Sequence, residues 1–79
     1  MGGFANKQYV KKMAECYNLK IVRSHRHQSL AIYKANGDEL LRISDNRAPE
    51  IAWEDMWGNA RQTIEIYTGI NILDDWREL

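Results

Sequence analysis

The sequence predicts a two-layer α+β domain of order α-β-β-β-α: a three-stranded antiparallel meander covered on one face by two helices, with a short C-terminal extension. Three observations predict it. Asn36-Gly37 stands between two alternating apolar runs, which is the strongest short-range signal for a hairpin. Apolar residues recur at spacings of three and four over residues 6–17 and again over residues 50–68, the rhythm of a helix with one buried face. The polar links between the apolar runs are short, and strands consecutive in sequence usually pair.

The first helix is expected over residues 6–17, with residues 1–5 frayed. Tyr9, Val10, Met13, Ala14 and Tyr17 form its apolar stripe, Asn6 is placed to cap its first turn, and Asn18 can take the left-handed conformation that ends it. Lys7, Lys11 and Lys12 then face water, and Cys16 is expected to pack beside the stripe. Residues 19–24 are rich in strand formers, with Leu19 and Ile21 on one side. The polar run His25-Arg26-His27-Gln28 leads into a second strand at residues 29–34.

A two-residue turn at Asn36-Gly37 sets Lys34 opposite Glu39, Ile32 opposite Leu41 and Leu30 opposite Ile43 on one face. Tyr33 then lies opposite Leu40, and Ala31 opposite Arg42, on the other. One face is strongly apolar and the other mixed, as a sheet covered on one side requires. The third strand spans residues 39–44, and residues 45–49 connect it to the second helix, with Pro49 suited to the first helical position. Trp53, Met56, Trp57, Ala60, Ile64 and Tyr67 form that helix's buried face, and Gly69 is a natural stop. Gly58 costs about 1 kcal/mol relative to Ala inside a helix, which predicts either a close backbone approach or a break. Ile70-Asn71-Ile72-Leu73 resumes apolar character, and Asp74 or Asp75 can cap a final turn through Trp76.

Seventy-nine residues with a 44% apolar and 28% charged composition, free of like-charge blocks, make one ordinary soluble globule rather than a disordered chain. A single cysteine, Cys16, cannot form an internal disulfide, so a reducing, cytoplasmic location is expected. The first residues lack the basic start and apolar stretch of a signal peptide, and no apolar run reaches membrane-spanning length. Formal net charge is zero, yet residues 1–40 hold seven Lys/Arg against three Asp/Glu, and residues 41–79 hold four against eight. The halves either neutralise each other on packing or form opposed faces, one of them acidic enough to meet a basic partner.

No motif carries recognisable chemistry, so no enzyme is expected. His25-x-His27 points two imidazoles to one side of a strand, but with Cys16 as the only further candidate the set falls short of the four ligands of a structural zinc site, and no metal or cofactor is expected. The adjacent pairs Glu54-Asp55 and Asp74-Asp75 diverge on a helix and do not face each other across a substrate. Neither Gly2-Gly3 nor Asn36-Gly37 has the spacing of a phosphate-binding loop.

Recognition of a partner is the stronger expectation. Trp53, Trp57 and Trp76 exceed the area that one helix on three strands readily buries. Either all three complete the core, or Trp57 or Trp76 is an exposed anchor flanked by Glu54, Asp55, Asp74, Asp75 and Arg77, with Glu50, Glu54, Asp55, Asp74 and Asp75 opposing Lys or Arg on the partner. The function expected is a protein-binding module, set in a phage or mobile element as an inhibitor that occupies a host protein, a nuclease among the candidates. Helix, three strands and a further helix resemble the layout of some anti-CRISPR inhibitors that mimic DNA with carboxylates. The same order is similar to that of double-stranded RNA-binding domains. That family grips phosphates with lysines at the start of its last helix, where this chain has Ala48-Pro49-Glu50-Ile51-Ala52-Trp53-Glu54-Asp55. The alternative is nucleic-acid binding through Lys7, Lys11, Lys12, Arg23, Arg26 and Lys34. A third is a homodimer through a free strand edge at residues 19–24 or 39–44.

Overall fold

The computed structural model describes the backbone of residues 2–69 and the side chains from residue 5 onward, so the expectations placed on Asp74, Asp75 and Trp76 lie outside the described residues. The elements run α1 (Gly2–Tyr17), β1 (Lys20–Ser24), β2 (Ser29–Tyr33), β3 (Glu39–Ser44) and α2 (Pro49–Thr68). The sheet is antiparallel in the order β1-β2-β3, as the meander predicts.

Helix α1 begins four residues before the expected start, at Gly2, so residues 2–5 are helical rather than frayed. Asn6 therefore caps nothing. It lies inside α1 and accepts a hydrogen bond from the Arg61 guanidinium of α2 at 3.2 Å. The end of α1 behaves as expected. Asn18 sits at φ 58°, and the Leu19 amide donates to the Ala14 carbonyl at 2.8 Å, the longer bond of a left-handed helix stop. Both residues flanking that bond belong to the core. Cys16, expected beside the stripe, is exposed, and Tyr17 at the end of the stripe is also exposed.

The hairpin departs from the expected turn while keeping the expected core register. The Gly37 amide donates to the Lys34 carbonyl at 2.9 Å and the Lys34 amide to the Asp38 carbonyl at 2.7 Å. Gly37 has φ +96°, while Asn36 is not among the residues of positive φ. This is a three-residue loop, Ala35-Asn36-Gly37, with only its last residue left-handed; a two-residue turn of either mirror-image type would need positive φ at Asn36. The Asp38 amide bonds the Asn36 Oδ1 at 2.9 Å, which holds the turn in this form. Tyr33 consequently pairs with Glu39, not Leu40, and Lys34 does not face Glu39. A bulge at Leu40 then takes up the extra residue, and from Ile32↔Leu41 through Leu30↔Ile43 the pairing is the expected one.

Burial explains why the bulge forms. Leu30 and Ile32 are 1% and 0% exposed, and Leu41 and Ile43 pack against the same cluster. A one-residue slip would turn all four away from the helices. Leu40, expected on the opposite face, packs against the core as the bulged residue. Above this floor α2 contributes Ala52, Met56, Trp57, Ala60 and Ile64, and α1 contributes Val10 and Ala14. Tyr67, the last member of the expected α2 stripe, is exposed instead, because the helix has passed the end of the core; Lys34 lies over its ring at 5.5 Å. Pro49 takes the first turn of α2, and Gly69 stops it at φ 81° with its amide on the Glu65 carbonyl.

Helix α2 runs unbroken through Gly58, and the nearest atom to a side chain placed there is the Asn6 amide nitrogen at 3.5 Å, so neither a break nor a close backbone approach occurs. The two glycines therefore predict opposite effects in denaturant unfolding. Gly58→Ala raises stability by about 0.5–1 kcal/mol, as an unhindered Ala does in a helix interior. Gly37→Ala lowers it by about 1 kcal/mol or more, because the loop needs the left-handed conformation. In the core, Ile32→Ala costs about 2–5 kcal/mol.

Candidate partner-binding surface

The sheet end formed by the row Ser24, Ser29 and Ser44 carries most of the residues singled out for acidity. Glu50 and Glu54 are exposed there on the first turns of α2. Asp55 is engaged by the chain itself. The Arg47 guanidinium bonds both Asp55 and Asp45, the latter at 2.5 Å. Hydrogen bonds from the Arg47 side chain and then its main chain hold the Asp45 carboxyl down to about 2, well below the ordinary carboxylate range. Arg47 is correspondingly held above its usual range, first by Asp45 and then by Asp55.

Gln28 locks the same end and carried no sequence signal beyond a polar turn. It adopts φ 47°, a left-handed conformation costly for a residue with a Cβ. Its side-chain amide donates to the carbonyls of Asp45 at 2.6 Å and Arg47 at 2.9 Å. Its own carbonyl accepts from the Asp45 amide at 3.0 Å. The β1–β2 turn is thereby fastened to the linker before α2, and His25, Arg26 and His27 are left exposed at its tip.

The tryptophans divide between core and rim. Trp57 is 4% exposed, so it offers no anchor to a partner; it fills the space beneath Arg23, whose guanidinium lies 5.8 Å from its ring. Trp53 is half-buried, 6.4 Å from Trp57 and 5.0 Å from the His25 ring. This contact gives His25 a packing role, and among the described residues no three His, Cys, Asp or Glu side chains gather as metal ligands.

The six basic candidates do not form one stripe. Arg23 and Arg26 stand at the serine end of the sheet, Lys34 at the opposite end of β2, and Lys7, Lys11 and Lys12 in the helical layer. Lys7 is half-buried, whereas Lys11 and Lys12 are exposed. A cation that sequence reasoning passed over, Arg61, joins the helices: it lies 4.3 Å from the Tyr9 ring and 3.0 Å from Glu65.

The face of the sheet turned away from the helices is the most distinctive surface. Its three rows are Ser24-Ser29-Ser44, Val22-Ala31-Arg42 and Lys20-Tyr33-Glu39. No described helix covers it. Val22 is 45% exposed, while Ala31 is only 9% exposed although it lies outside the helix-covered cluster. Ala31 is the floor of a shallow concavity walled by Val22, Tyr33 and Arg42. Arg42 bonds Tyr33 and lies 3.2 Å from Glu39, interactions that hold it above its ordinary range.

The two locks at the serine end are testable. Gln28→Ala is expected to cost about 1–3 kcal/mol in denaturant unfolding, since it removes two hydrogen bonds and keeps the left-handed backbone. Gln28→Gly relieves that backbone and should fall between Ala and the wild type. Because Asp45 is depressed in the folded state, its contribution is present above pH of about 4 and is lost as pH falls towards about 2. Asp45→Asn should flatten the acid limb of the stability profile in that window. Compared with family models, with curated proteins and with solved structures, the chain matches none.

Proposed function

We propose that this protein is a non-enzymatic protein-binding module that meets its partner through the uncovered face of the sheet and the adjoining edge of β1. The observation that carries the reading is Val22, an exposed valine at the centre of an edge strand, next to the concavity floored by Ala31. Uncovered apolar residues beside unpaired strand edges are the surfaces that other chains occupy. The rim suits protein recognition as well, since Tyr33 and Arg42 supply the aromatic and guanidinium groups enriched at such contacts.

A phage or mobile-element inhibitor acting on a host nuclease is the more specific setting. Among the described residues its DNA-mimicking form draws on Glu50 and Glu54, because Asp55 shares the Arg47 guanidinium with Asp45 and Trp57 is in the core. The sheet face takes precedence for that reason.

Capture from a lysate of the source cell with three full-length baits separates the readings. Val22→Lys is expected to lose a protein that the wild type retains, while Glu50→Lys/Glu54→Lys keeps it. The opposite pattern would transfer the interaction to the acidic helix face. Retention of duplex nucleic acid in a salt-sensitive manner, with no protein dependent on Val22, would overturn the proposal in favour of the basic residues.

A further inference from the structure

Hydrogen-bond parity determines what the β1 edge can accept. The Lys34 amide points to β3, where it bonds Asp38, and the Gln28 carbonyl also points to β3, where it meets the Asp45 amide. Along a strand, alternate residues point their main-chain groups to the same side. Residues 28, 30, 32 and 34 therefore serve β3, and residues 29, 31 and 33 serve β1. Their partners Ser24, Val22 and Lys20 point inward, which leaves the N–H and C=O groups of Ile21 and Arg23 directed outward. No strand among the described residues takes them, since β1 ends the sheet.

We infer that the occupant of this edge is the β1 strand of a second copy, paired antiparallel about a two-fold axis through Val22; the inference rests on the proposed protein-binding role of this surface. Only registers that join outward-pointing residues satisfy the edge. Arg23 on Arg23 of the second copy opposes like charges, and Ile21 on Ile21 of the second copy uses one bonded pair. Ile21 on Arg23 of the second copy, made twice by symmetry, satisfies all four outward groups and overlaps the full five residues of β1.

That register is also complementary in its side chains. Val22 meets Val22 of the second copy as a non-hydrogen-bonded pair, the closest type of cross-strand contact. Lys20 faces Ser24 and Arg23 faces Ile21 of the second copy, so no two charges of one sign stand directly opposite, and the two Arg23 side chains are only diagonal neighbours across the axis. Arg23, on the helix-bearing face and exposed, has its guanidinium 5.8 Å from the Trp57 ring. The opposite edge is less suited, because β3 carries the Leu40 bulge and the Arg42–Glu39 ion pair. Pairing in this way makes a six-stranded sheet whose uncovered faces join into one surface.

Site-specific crosslinking of the full chain, with Cys16→Ser in the background, tests the register. Val22→Cys places two sulfur-bearing residues on the axis at about 4.5 Å between Cα atoms, within disulfide reach, and should form a covalent dimer on mild oxidation. Lys20→Cys and Ser24→Cys should each remain uncrosslinked alone, because each lies about 13 Å from its own symmetry mate, four residues along the strand. Mixed together they should crosslink. Sedimentation from roughly 1 μM to 1 mM should show a reversible dimer, and Val22→Lys should abolish it without changing the circular dichroism. A chain monomeric throughout that range, or a dimer indifferent to Val22→Lys, overturns the inference. If the chain is monomeric and Val22→Lys still loses a captured protein, the edge belongs to a different partner and only the self-pairing fails. Loss of both removes the wider proposal too.

Discussion

The constraint on which the rest of the molecule depends is the burial of one face of β2, Leu30 and Ile32, beneath α2. Both side chains are within 1% of complete burial, and side chains alternate between faces with a period of two. That pair of facts decides the pairing on both sides of the central strand. On the β3 side it demands Leu41 opposite Ile32; on the β1 side it turns Ile21 and Arg23 to the helix-bearing face and Val22 to the open one. The loop at Asn36-Gly37 prefers three residues, one more than this register needs, and the Leu40 bulge reconciles them. Local turn chemistry and core burial are thus both satisfied, at the expense of one irregular residue on an edge strand.

The same alternation produces the surface. Because both helices lie on the Leu30–Ile32 face, the other face has no cover among the described elements, and its central residue, Ala31, is shielded only by its neighbours on the sheet. The outward groups of Ile21 and Arg23 follow from the hydrogen-bond direction of Lys34 and Gln28, at opposite ends of β2. A two-residue slip in one hairpin would leave this parity unchanged; a one-residue slip would invert it and destroy the core. Surface and core are therefore two consequences of one register.

Much of this was legible in the residues alone. Helical spacing located α1 and α2, Asn18 and Gly69 located their ends, and alternation about Asn36-Gly37 located the apolar floor. What escaped was the use of polar side chains whose partners are distant in sequence. Asn6 has the composition of a cap yet reaches Arg61, and Gln28 has that of a turn yet bonds residues 45 and 47. Trp57 and Tyr67 share one helical stripe, but the stripe outruns the sheet, so one is buried and the other is not. The acidity of residues 50–55 was visible as composition, whereas its partial neutralisation by Arg47 depended on the path of the linker. The open sheet face was implied by the predicted layers, but its exposed valine acquired meaning only once the direction of each main-chain group was known.

Residue-resolved amide hydrogen exchange, recorded in dilute solution, tests the register most directly. The account predicts slow exchange at Leu30, Ile32 and Val22, whose amides are bonded within the sheet, and fast exchange at Ile21 and Arg23 on the edge that no described strand takes. Protection at Ile21 and Arg23 in the monomer, with rapid exchange at Val22, would contradict it.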